Sequence, residues 1–436
     1  MTTELVCFTQ WARTAPQKCY TSLMGMLCDP AGLRESFEAQ PGNKAAGVDG
    51  VRKADYGEGI DARLEALSAG LRRLSYRPRP ARRVYIPKGN GGRRPLGIPS
   101  FEDRLVQDRL SGILQAIWEP EFRDCSYGFR PGRNAHQALK RLGETVTWKA
   151  TQWIVEADIK GFFNHVSHDW LMQFLAQRIA DPQLLRLVRR FLKAGVLEEG
   201  VYQASDEGTP QGGLVSPVLA NIYLHYVLDL WFEKRFARAC EGRAYLVRYA
   251  DDFVACFSHE SDARRFREAL VERLGQFGLE VEPTKTALLC FGSQAAHLRQ
   301  VHGLEQPTTF NFLGFTHYVG RSRRGKFVVA RKTQRDRMAK KLKAFGDRLK
   351  QLRTSGGRVM MLYARQHLRG HLAYYAVSGN SRSLRQYFFA ASRVLFKWLN
   401  RRSQRRSFSW QRFGRVLRDC LPPIRIRHQL YPAYGE

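Results

Sequence analysis

Apolar residues recur at helical spacing over long parts of the chain. Leu64, Leu67, Leu71 and Leu74 follow one another at intervals of three or four, which predicts an amphipathic helix over residues 61–75. Similar patterns predict further helices from Phe101 to about Trp118, from Ala135 onward, from His168 to about Lys193, up to about Phe236, from Ser261 to Phe277 and from Arg331 to Arg353.

Short runs of β-forming residues lie between these helices. One run precedes Asp251 and Asp252 and another follows them, which predicts a hairpin with the two aspartates at its tip. Ile154 and Val155 predict a strand that ends at Asp158. Phe310 to Phe315 predicts one more short strand. Helices interspersed with short antiparallel strands indicate the α+β class.

Residues 82–99 predict a second hairpin, because a glycine-rich turn at 89–92 separates two strand-like runs. Lys88 and Arg94 flank its tip. A cationic hairpin of this kind can close over the triphosphate of a nucleotide, although an ordinary surface hairpin would show the same pattern.

Charge narrows the class of partner. The chain of 436 residues has 71 Lys and Arg against 40 Asp and Glu, a net charge of +31, which points to a polyanion and first to nucleic acid. Residues 318–436 alone hold 30 Lys and Arg against 4 Asp and Glu, interleaved with aromatic residues. We therefore expect the last quarter of the chain to contact phosphates.

The eight cysteines form no C-x-x-C pair, so the sequence indicates neither a zinc site nor a zinc-dependent nuclease. No apolar signal core and no long apolar span is present. The expected setting is a reduced, intracellular one, the bacterial cytoplasm, without a membrane partner.

Three carboxylates carry the candidate chemistry. A bare Asp-Asp pair is often a solvated turn. Here Asp251 and Asp252 have a third carboxylate, Asp158, at the end of another strand. Together they form the set that two-metal phosphoryl transfer needs, and Mg²⁺ prefers such oxygen ligands. The backbone carbonyl of Ile159 is a candidate additional ligand.

Three neighbouring features suggest contacts with a nucleotide or a template. Phe163 lies where its ring can exclude a ribose 2′-hydroxyl, although a lone phenylalanine is more often a core residue. Gln211 lies in a loop rich in Gly and Pro and can hydrogen-bond a nucleotide or template strand. Arg130 and Arg133 occupy a loop that fits a template contact and a structural role equally well.

The chain resembles group II intron-encoded reverse transcriptases, also called maturases, over essentially its whole length. The blocks that carry the resemblance occur in the family's order: Gly47-Val-Asp-Gly50, Ile86-Pro-Lys through Arg94-Pro-Leu-Gly-Ile-Pro99, Tyr127-Gly-Phe-Arg-Pro-Gly-Arg133, Ala157-Asp-Ile-Lys-Gly-Phe-Phe163, Thr209-Pro-Gln-Gly-Gly213, Tyr249-Ala-Asp-Asp252, Gly278-Leu-Glu to Lys285-Thr, and Phe312-Leu-Gly-Phe315. Each block is modest alone, but their order and spacing are highly specific.

The resemblance implies a right-hand polymerase with an N-terminal extension and fingers over 1–150, a palm over 151–317 that includes part of the fingers at about 170–215, and a helical basic thumb over 318–436. It implies that Asp158, Asp251 and Asp252 hold two Mg²⁺ ions, with Mn²⁺ as a substitute. It also implies further contacts. Those with the nucleotide are Lys88, Arg94, Phe163, Gln211 and Lys285; those with primer or template are Arg130, Arg133, Gly212, Tyr249, Phe312, Leu313 and Gly314.

The implied activity is RNA-directed DNA synthesis, combined with binding of intron RNA to assist splicing and retrohoming. Partners would be intron RNA, an RNA template with a DNA primer, deoxynucleoside triphosphates and target DNA. The basic thumb residues expected to bind RNA are Arg331, Lys332, Lys340, Lys341, Arg401, Arg402, Arg405 and Arg406.

Two departures from the family pattern stand out. Asn164 follows Phe163 where many relatives carry Asp, and neither a separate DNA-binding domain nor a His/Cys-rich nuclease follows the thumb. Target cleavage by this chain is therefore not expected. A domesticated enzyme with a host defence or repair role and a splicing-only RNA-binding cofactor remain alternatives, and the sequence leaves the oligomeric state open.

Overall fold

The computed structural model describes residues 3–15, 17–87, 92–148, 151–209, 212–295, 297, 308–322, 325–402 and 408–431. The N-terminal part is helical and leads into a four-stranded sheet, the fingers sheet, whose strand order is β2-β1-β4-β5. Its elements and the helices before it are α1 (Thr3–Thr14), α2 (Met24–Leu27), α3 (Pro30–Ala39), α4 (Lys53–Gly57), α5 (Ile60–Arg72), β1 (Ala81–Pro87), β2 (Arg93–Ile98), β4 (Val196–Glu198) and β5 (Val201–Gln203).

The palm sheet is four-stranded and antiparallel, with the order β6-β7-β3-β8. Helices pack around it, and the helix that starts at Ser216 continues through two π-helical turns, His225–Asp229 and Phe232–Phe236. The elements are α6 (Phe101–Trp118), α7 (Ala135–Trp148), β3 (Trp153–Asp158), α8 (His168–Ala176), α9 (Pro182–Lys193), α10 (Ser216–Leu224), β6 (Ala244–Tyr249), β7 (Asp252–Phe257), α11 (Glu260–Gly275) and β8 (Ala287–Cys290).

Both faces of the palm sheet are buried, which explains why β7 is apolar after its first residue instead of alternating. Phe253 and Phe257 point into a core shared with α10 and α11. Val254 and Cys256, on the opposite face, pack with Leu139 of α7 in a second core. The sheet is thereby fixed on both sides, and its strand ends are held in register.

A third sheet, with the order β11-β10-β9, joins the palm to the thumb helices. The thumb has its own core, formed by buried residues such as Phe345, Leu368 and Tyr387. The elements are β9 (Thr309–Phe312), β10 (Phe315–Arg321), β11 (Phe327–Thr333), α12 (Arg335–Gln351), α13 (Gly357–Tyr375), α14 (Ser381–Asn400) and α15 (Trp410–Cys420).

The α+β architecture is the one expected from the sequence, and most predicted helices agree with it within a few residues. Two expectations are wrong. Phe310–Phe315 is not one strand, because Leu313 and Gly314 have φ of 49° and 82° and turn the chain between β9 and β10. The thumb does not start as a helix at Arg331, because β11 extends to Thr333 and α12 begins at Arg335. The boundary placed between 317 and 318 falls inside β10.

All eight cysteines are free thiols. Among the residues that the structure describes, we find no helix with the length and apolar character needed to cross a membrane.

Candidate active site

The predicted aspartates lie together at one end of the palm sheet. Asp158 is the last residue of β3 and Asp252 is the first residue of β7, and the two are directly opposite each other in the antiparallel register. Asp251 belongs to the two-residue turn that joins β6 to β7. Adjacent strand ends therefore bring together side chains that are 93 or more positions apart in sequence.

The turn before Asp251 is conformationally demanding. Ala250 has a φ of 58°, a left-handed value that costs free energy in any residue with a side chain. The loop that contains Gly128 packs directly against it: a Cβ atom on Gly128 would lie 2.4 Å from the Ala250 nitrogen. The Tyr127 amide donates to the Arg248 carbonyl at 2.9 Å. Residues 126–129 thus pack against the turn that contains Asp251 and support it.

A buried arginine fixes the same turn. Arg248 is fully buried and forms an ion pair with Asp229 on the π-helical continuation of α10, with 2.7 Å between Nε and Oδ1. Its other nitrogens donate to the Asn221 amide oxygen at 3.0 Å, the Ser126 hydroxyl at 2.8 Å and the Ala250 carbonyl at 2.9 Å. The last contact ties the strained residue of the turn to the helix behind the sheet.

The aspartates are held in an environment that disfavours their charged forms. Burial, together with the nearby Asp251 and Asp158, raises the pKa of Asp252 to about 7. Burial also raises the pKa of Asp251, partly offset by Arg94 on β2. Arg94 is exposed at the mouth of the site. Like-charged groups held this close are stabilised by a cation.

Lys285 reaches the site from the segment after α11. The Glu282 amide donates to the Asp158 carbonyl at 2.8 Å, and Val281 bridges to Ile159, so that the 281–285 segment is fixed to the end of β3. The Lys285 ammonium then hydrogen-bonds the Asp158 carboxylate. This contact raises the pKa of Lys285.

The donor set suits Mg²⁺, because it consists of carboxylate oxygens, with the backbone of Ile159 next in the chain, and because the crowding of buried negative charge calls for a cation. The aspartate side chains do not form a closed coordination site. Within the part of the chain that the structure describes, no three His, Cys, Asp or Glu groups meet as a ready-made metal site. Such open sites are typical of Mg²⁺, which also binds substrate phosphates.

A small pocket of about 150 Å³ lies between the fingers sheet and the segment that follows β3. Phe163 lines it and is half-buried, with its ring 5.3 Å from that of Phe162. The Thr209 amide donates to the Phe163 carbonyl at 2.8 Å, and a Cβ on Gly212 would lie 2.4 Å from the Gly97 carbonyl oxygen. Residues from three distant parts of the sequence, Gly97, Phe163 and Thr209, therefore line one pocket.

The turn between β9 and β10 also borders the site. The Leu313 amide donates to the Asp252 carboxylate, and the Leu313 carbonyl accepts from the Tyr374 hydroxyl of α13 at 2.8 Å. Phe312 and Leu313 are 1% and 8% exposed, and Gly314 is buried beside Tyr375. These residues contact Asp252 and the thumb, and their contact with a primer stays a prediction.

Two residues predicted to contact nucleic acid contact protein instead. Arg130 is buried and donates to the Glu119 carboxylate and to the carbonyls of Arg123 and Ser126, so it is a structural arginine. Arg331 is fully buried in β11 and donates to the Leu139 carbonyl at 2.8 Å.

Arg133 is partly buried and pairs with Asp124 at 2.8 Å. Because Asp124 is highly exposed, this pair contributes little, and the template contact of Arg133 stays a prediction.

The remaining predicted residues divide into those at the surface and those not described. Lys332, Lys340 and Arg401 are exposed, as an RNA contact requires. Lys341 lies 5.6 Å from the Tyr375 ring and Arg402 bonds the Leu399 carbonyl, so both are partly buried. Tyr249 lies at the hairpin opposite Asp252. The residues outside the described part of the chain are Lys88, Gln211, Arg405 and Arg406.

Sequence reasoning missed several residues that shape the site, notably Arg248, Asp229 and Tyr374. Asp229 gave a readable signal, since it is one acid within the apolar run Tyr226-Val-Leu-Asp-Leu-Trp231, and a buried acid requires a partner. Glu156 was also missed: burial raises its pKa to about 7 near Asp158.

A palm sheet with aspartates on adjacent strand ends, bordered by a fingers sheet and a helical thumb, defines the class: a nucleic-acid polymerase of the right-hand type. Residues 86–317 match the family model described as "Reverse transcriptase (RNA-dependent DNA polymerase)". The chain belongs to the reverse transcriptase family.

Individual relatives agree with this assignment. The chain is 38% identical over 281 residues to Protein YkfC of Escherichia coli, covering 56% of this chain and 72% of the relative. It is 40% identical over 217 residues to the group II intron-encoded protein LtrA of Lactococcus lactis, covering 48% of this chain but 36% of LtrA. A 91 kDa protein in the cob intron of Schizosaccharomyces pombe is 30% identical over 76% of this chain and 48% of its own length.

Proposed function

We propose that this chain extends a DNA primer on an RNA template by nucleotidyl transfer at Asp158, Asp251 and Asp252. The observation that carries the proposal is the register of β3 and β7, which places Asp158 directly opposite Asp252 beside the Asp251 turn. When bound there, two Mg²⁺ ions, or Mn²⁺ as a substitute, would supply activation of the primer hydroxyl and charge neutralisation at the leaving pyrophosphate.

The other residues of the site bind and orient. Arg94, exposed near Asp251, is positioned to attract the triphosphate, with Lys88 and Gln211 as further predicted contacts. Phe163 lines a small pocket, and its ring is proposed to lie beside the sugar of the nucleotide and to exclude a 2′-hydroxyl. Lys285, held on Asp158, keeps a positive charge beside the crowded carboxylates until a substrate arrives.

The same chain is proposed to bind intron RNA as a maturase, and to use target DNA in retrohoming. The thumb carries its charge at exposed positions such as Lys332, Lys340 and Arg401, which suits contacts to phosphates along an RNA of irregular path. The names of the relatives, which include a group II intron-encoded protein and a nuclear intron maturase of Arabidopsis thaliana, support this second role.

The test is primer extension on an RNA template with deoxynucleotides and Mg²⁺, comparing the wild type with Asp251→Asn. The substitution removes a charge but keeps the size of the side chain, so we expect extension to be abolished while RNA affinity stays unchanged. Asp347→Asn, on the exposed face of α12, is the matched control and should extend normally.

Extension by Asp251→Asn at the wild-type rate would overturn the assignment of the site. Absence of extension in the wild type, with tight RNA binding retained, would assign the protein to splicing only.

A further inference from the structure

A strongly basic groove lies in the fingers, apart from the aspartates. It has a volume of about 520 Å³ and lies between α9, the segment before β1 and the edge strand β5. We call it the fingers groove, and its lining residues are Arg77, Pro78, Pro80, Arg186, Arg189, Arg190, Lys193, Ala194 and Tyr202. Five of these nine carry a positive charge and none carries a negative charge.

The cations come mainly from one face of α9. Arg186 and Arg190 are four residues apart, and so are Arg189 and Lys193, so the four cations form a stripe along the helix. The opposite face is apolar and buried, with Leu184, Leu187, Val188 and Phe191 in the main core. The orientation of the helix is thus fixed by its apolar side, and the basic stripe has to face the groove.

The positive charge of the groove is not neutralised where its arginines are hydrogen-bonded, because the acceptors are uncharged backbone carbonyls. Arg77 and Arg190 both donate to the Leu74 carbonyl at 2.9 Å, and Arg190 also donates to the Tyr76 carbonyl at 2.9 Å. Backbone carbonyls bring these two guanidiniums together without cancelling their charge. Burial and the neighbouring Arg77 and Arg186 lower the pKa of Arg190, as expected where like charges gather.

Arg189 has an exposed carboxylate, Asp169, at 3.6 Å. An exposed pair of this kind contributes little, so it neutralises the groove only weakly.

An aromatic surface completes the groove. Tyr202 is 52% exposed, yet its ring lies against the backbone of Gly195, where a Cβ atom would come within 2.7 Å of the ring. Gly195 has a φ of 69°, so both its conformation and this close approach require glycine. A fixed, half-exposed ring beside a row of cations is the combination that binds single-stranded nucleic acid, by stacking and by phosphate contacts.

The fingers groove is on the face of the fingers sheet opposite to the pocket that Phe163 lines. Gln203 and its cross-strand partner Val196 line the pocket that contains Phe163. Tyr202 and its partner Leu197 are the next residues along each strand and therefore point to the other face. A template strand that lies on the same face of the sheet as the Phe163 pocket therefore does not need to pass through the fingers groove.

We infer that the fingers groove binds the phosphate backbone of a single-stranded segment of RNA other than the template strand, with a base against Tyr202. The inference rests on the proposed function only in taking RNA as the protein's partner. It adds a second RNA surface, distinct from the basic thumb, that can be occupied while a template and primer fill the active site.

The test uses the full chain loaded with excess RNA–DNA template–primer that has flush ends and so offers no template overhang. Fluorescein-labelled oligo(U) RNA is then added, and its binding is measured by fluorescence anisotropy. We expect the wild type to bind oligo(U) in the presence of the duplex. Arg186→Gln/Lys193→Gln removes two exposed charges that have no role in the core.

The affinity of this double variant for oligo(U) should fall about tenfold at physiological salt, and the slope of log affinity against log salt should decrease by about 1.4, as the removal of two contacts to single-strand phosphates predicts. Arg238→Gln/Arg243→Gln, two exposed arginines of the palm, is the matched control and should bind like the wild type.

Equal affinity of the groove variant and the wild type would overturn the inference, and so would displacement of oligo(U) by the flush duplex. Polyglutamate that binds as tightly as oligo(U), with the same dependence on Arg186 and Lys193, would indicate an acidic protein partner and also overturn it. Primer extension by the groove variant should be normal. If the wild type failed to extend, the polymerase proposal would fail, while the oligo(U) measurement would still report on the groove.

Discussion

The candidate active site of the palm and the surface of the thumb both contain many charged residues. Those of the palm are mostly buried, whereas those of the thumb are exposed. In the palm, Arg248 and Asp229 are both fully buried, and Asp251 and Asp252 are mostly enclosed as well. In the thumb, cations such as Lys332 and Lys340 stand in solvent. Buried charges have one low-energy arrangement, whereas exposed lysines adapt to many. The difference suits the two proposed tasks, which are fixed geometry for chemistry and adaptable contact with a large RNA.

The largest effect should come from removing one partner of the buried ion pair in the palm. In Arg248→Met, Asp229 is left buried without its partner, and we expect the free energy of unfolding to fall by about 3–5 kcal/mol. The Ala250 carbonyl also loses its donor, so the Asp251 turn shifts. Since misplacement of about 1 Å can cost about a hundredfold in rate, primer extension should fall by at least that factor. Urea unfolding and primer extension measure the two effects.

A double variant separates stability from positioning. Arg248→Met/Asp229→Leu removes both charges, so stability should return toward that of the wild type, because replacing a buried ion pair by apolar groups is often tolerated. Extension should stay low, since Ala250 still lacks its donor. Recovery of extension along with stability would show that Arg248 matters only for folding.

The next largest effect should be on the choice between deoxynucleotides and ribonucleotides, which also depends on fixed geometry. Phe163→Ala opens the pocket beside Gly97 and Thr209, so we expect the preference for deoxynucleotides over ribonucleotides in kcat/KM to fall by about tenfold or more. Steady-state single-nucleotide incorporation measures this ratio. Phe162→Ala is the contrasting variant: Phe162 is 2% exposed in the core, so its loss should lower stability and leave the ratio unchanged. An unaltered ratio in Phe163→Ala would remove the residue from the gate role.

Features set by local sequence were predictable, and features set by distant partners were not. The hairpin around Asp251 and the end of β3 at Asp158 follow from short apolar runs, and their meeting follows from antiparallel pairing. An arginine, by contrast, looks the same in sequence whether it binds RNA or a buried carbonyl. Arg331 has its acceptor, Leu139, 192 positions away, which no local pattern reveals.

The turn at Leu313 and Gly314 shows a second limit. Glycine signalled a break, but the apolar residues on both sides favoured one continuous strand. The positive φ of Leu313 is stabilised by contacts to Asp252 and Tyr374, which lie in other elements. Local propensity was overridden by tertiary contacts, and this happened at the active site, where such conflicts are expected.

The thumb also contains buried ionisable groups, and these should make its stability fall at low pH. Burial, with the nearby Lys341 and His367, lowers the pKa of His371 to about 3, against an ordinary value of 6.5. Because the unfolded chain binds the proton more tightly, stability is full above pH 6.5 and is lost as pH falls from there toward 3. At pH 5 the loss from His371 is about 1–2 kcal/mol.

His371→Phe keeps the ring that stacks on Tyr387, at 3.8 Å between centroids, but removes the titration. The variant should therefore lose less stability than the wild type between pH 7 and pH 5, as measured by urea unfolding at each pH. His259→Phe, at an exposed position, is the control. Parallel pH profiles for wild type and His371→Phe would contradict the assignment of acid sensitivity to this residue.

The smallest effect should come from removing one exposed charge from the surface of the thumb. Lys340→Gln removes one surface charge from α12, and with one fewer cation to bind a phosphate, RNA affinity should weaken about three- to fourfold at physiological salt, with the salt slope reduced by about 0.7. Primer extension at saturating template should not change, because no buried contact is disturbed. Anisotropy titrations over a range of salt provide the measurement. Complete loss of binding from this single exposed lysine would mean that the thumb recognises RNA through a fixed, specific contact, and the contrast with the palm would then fail.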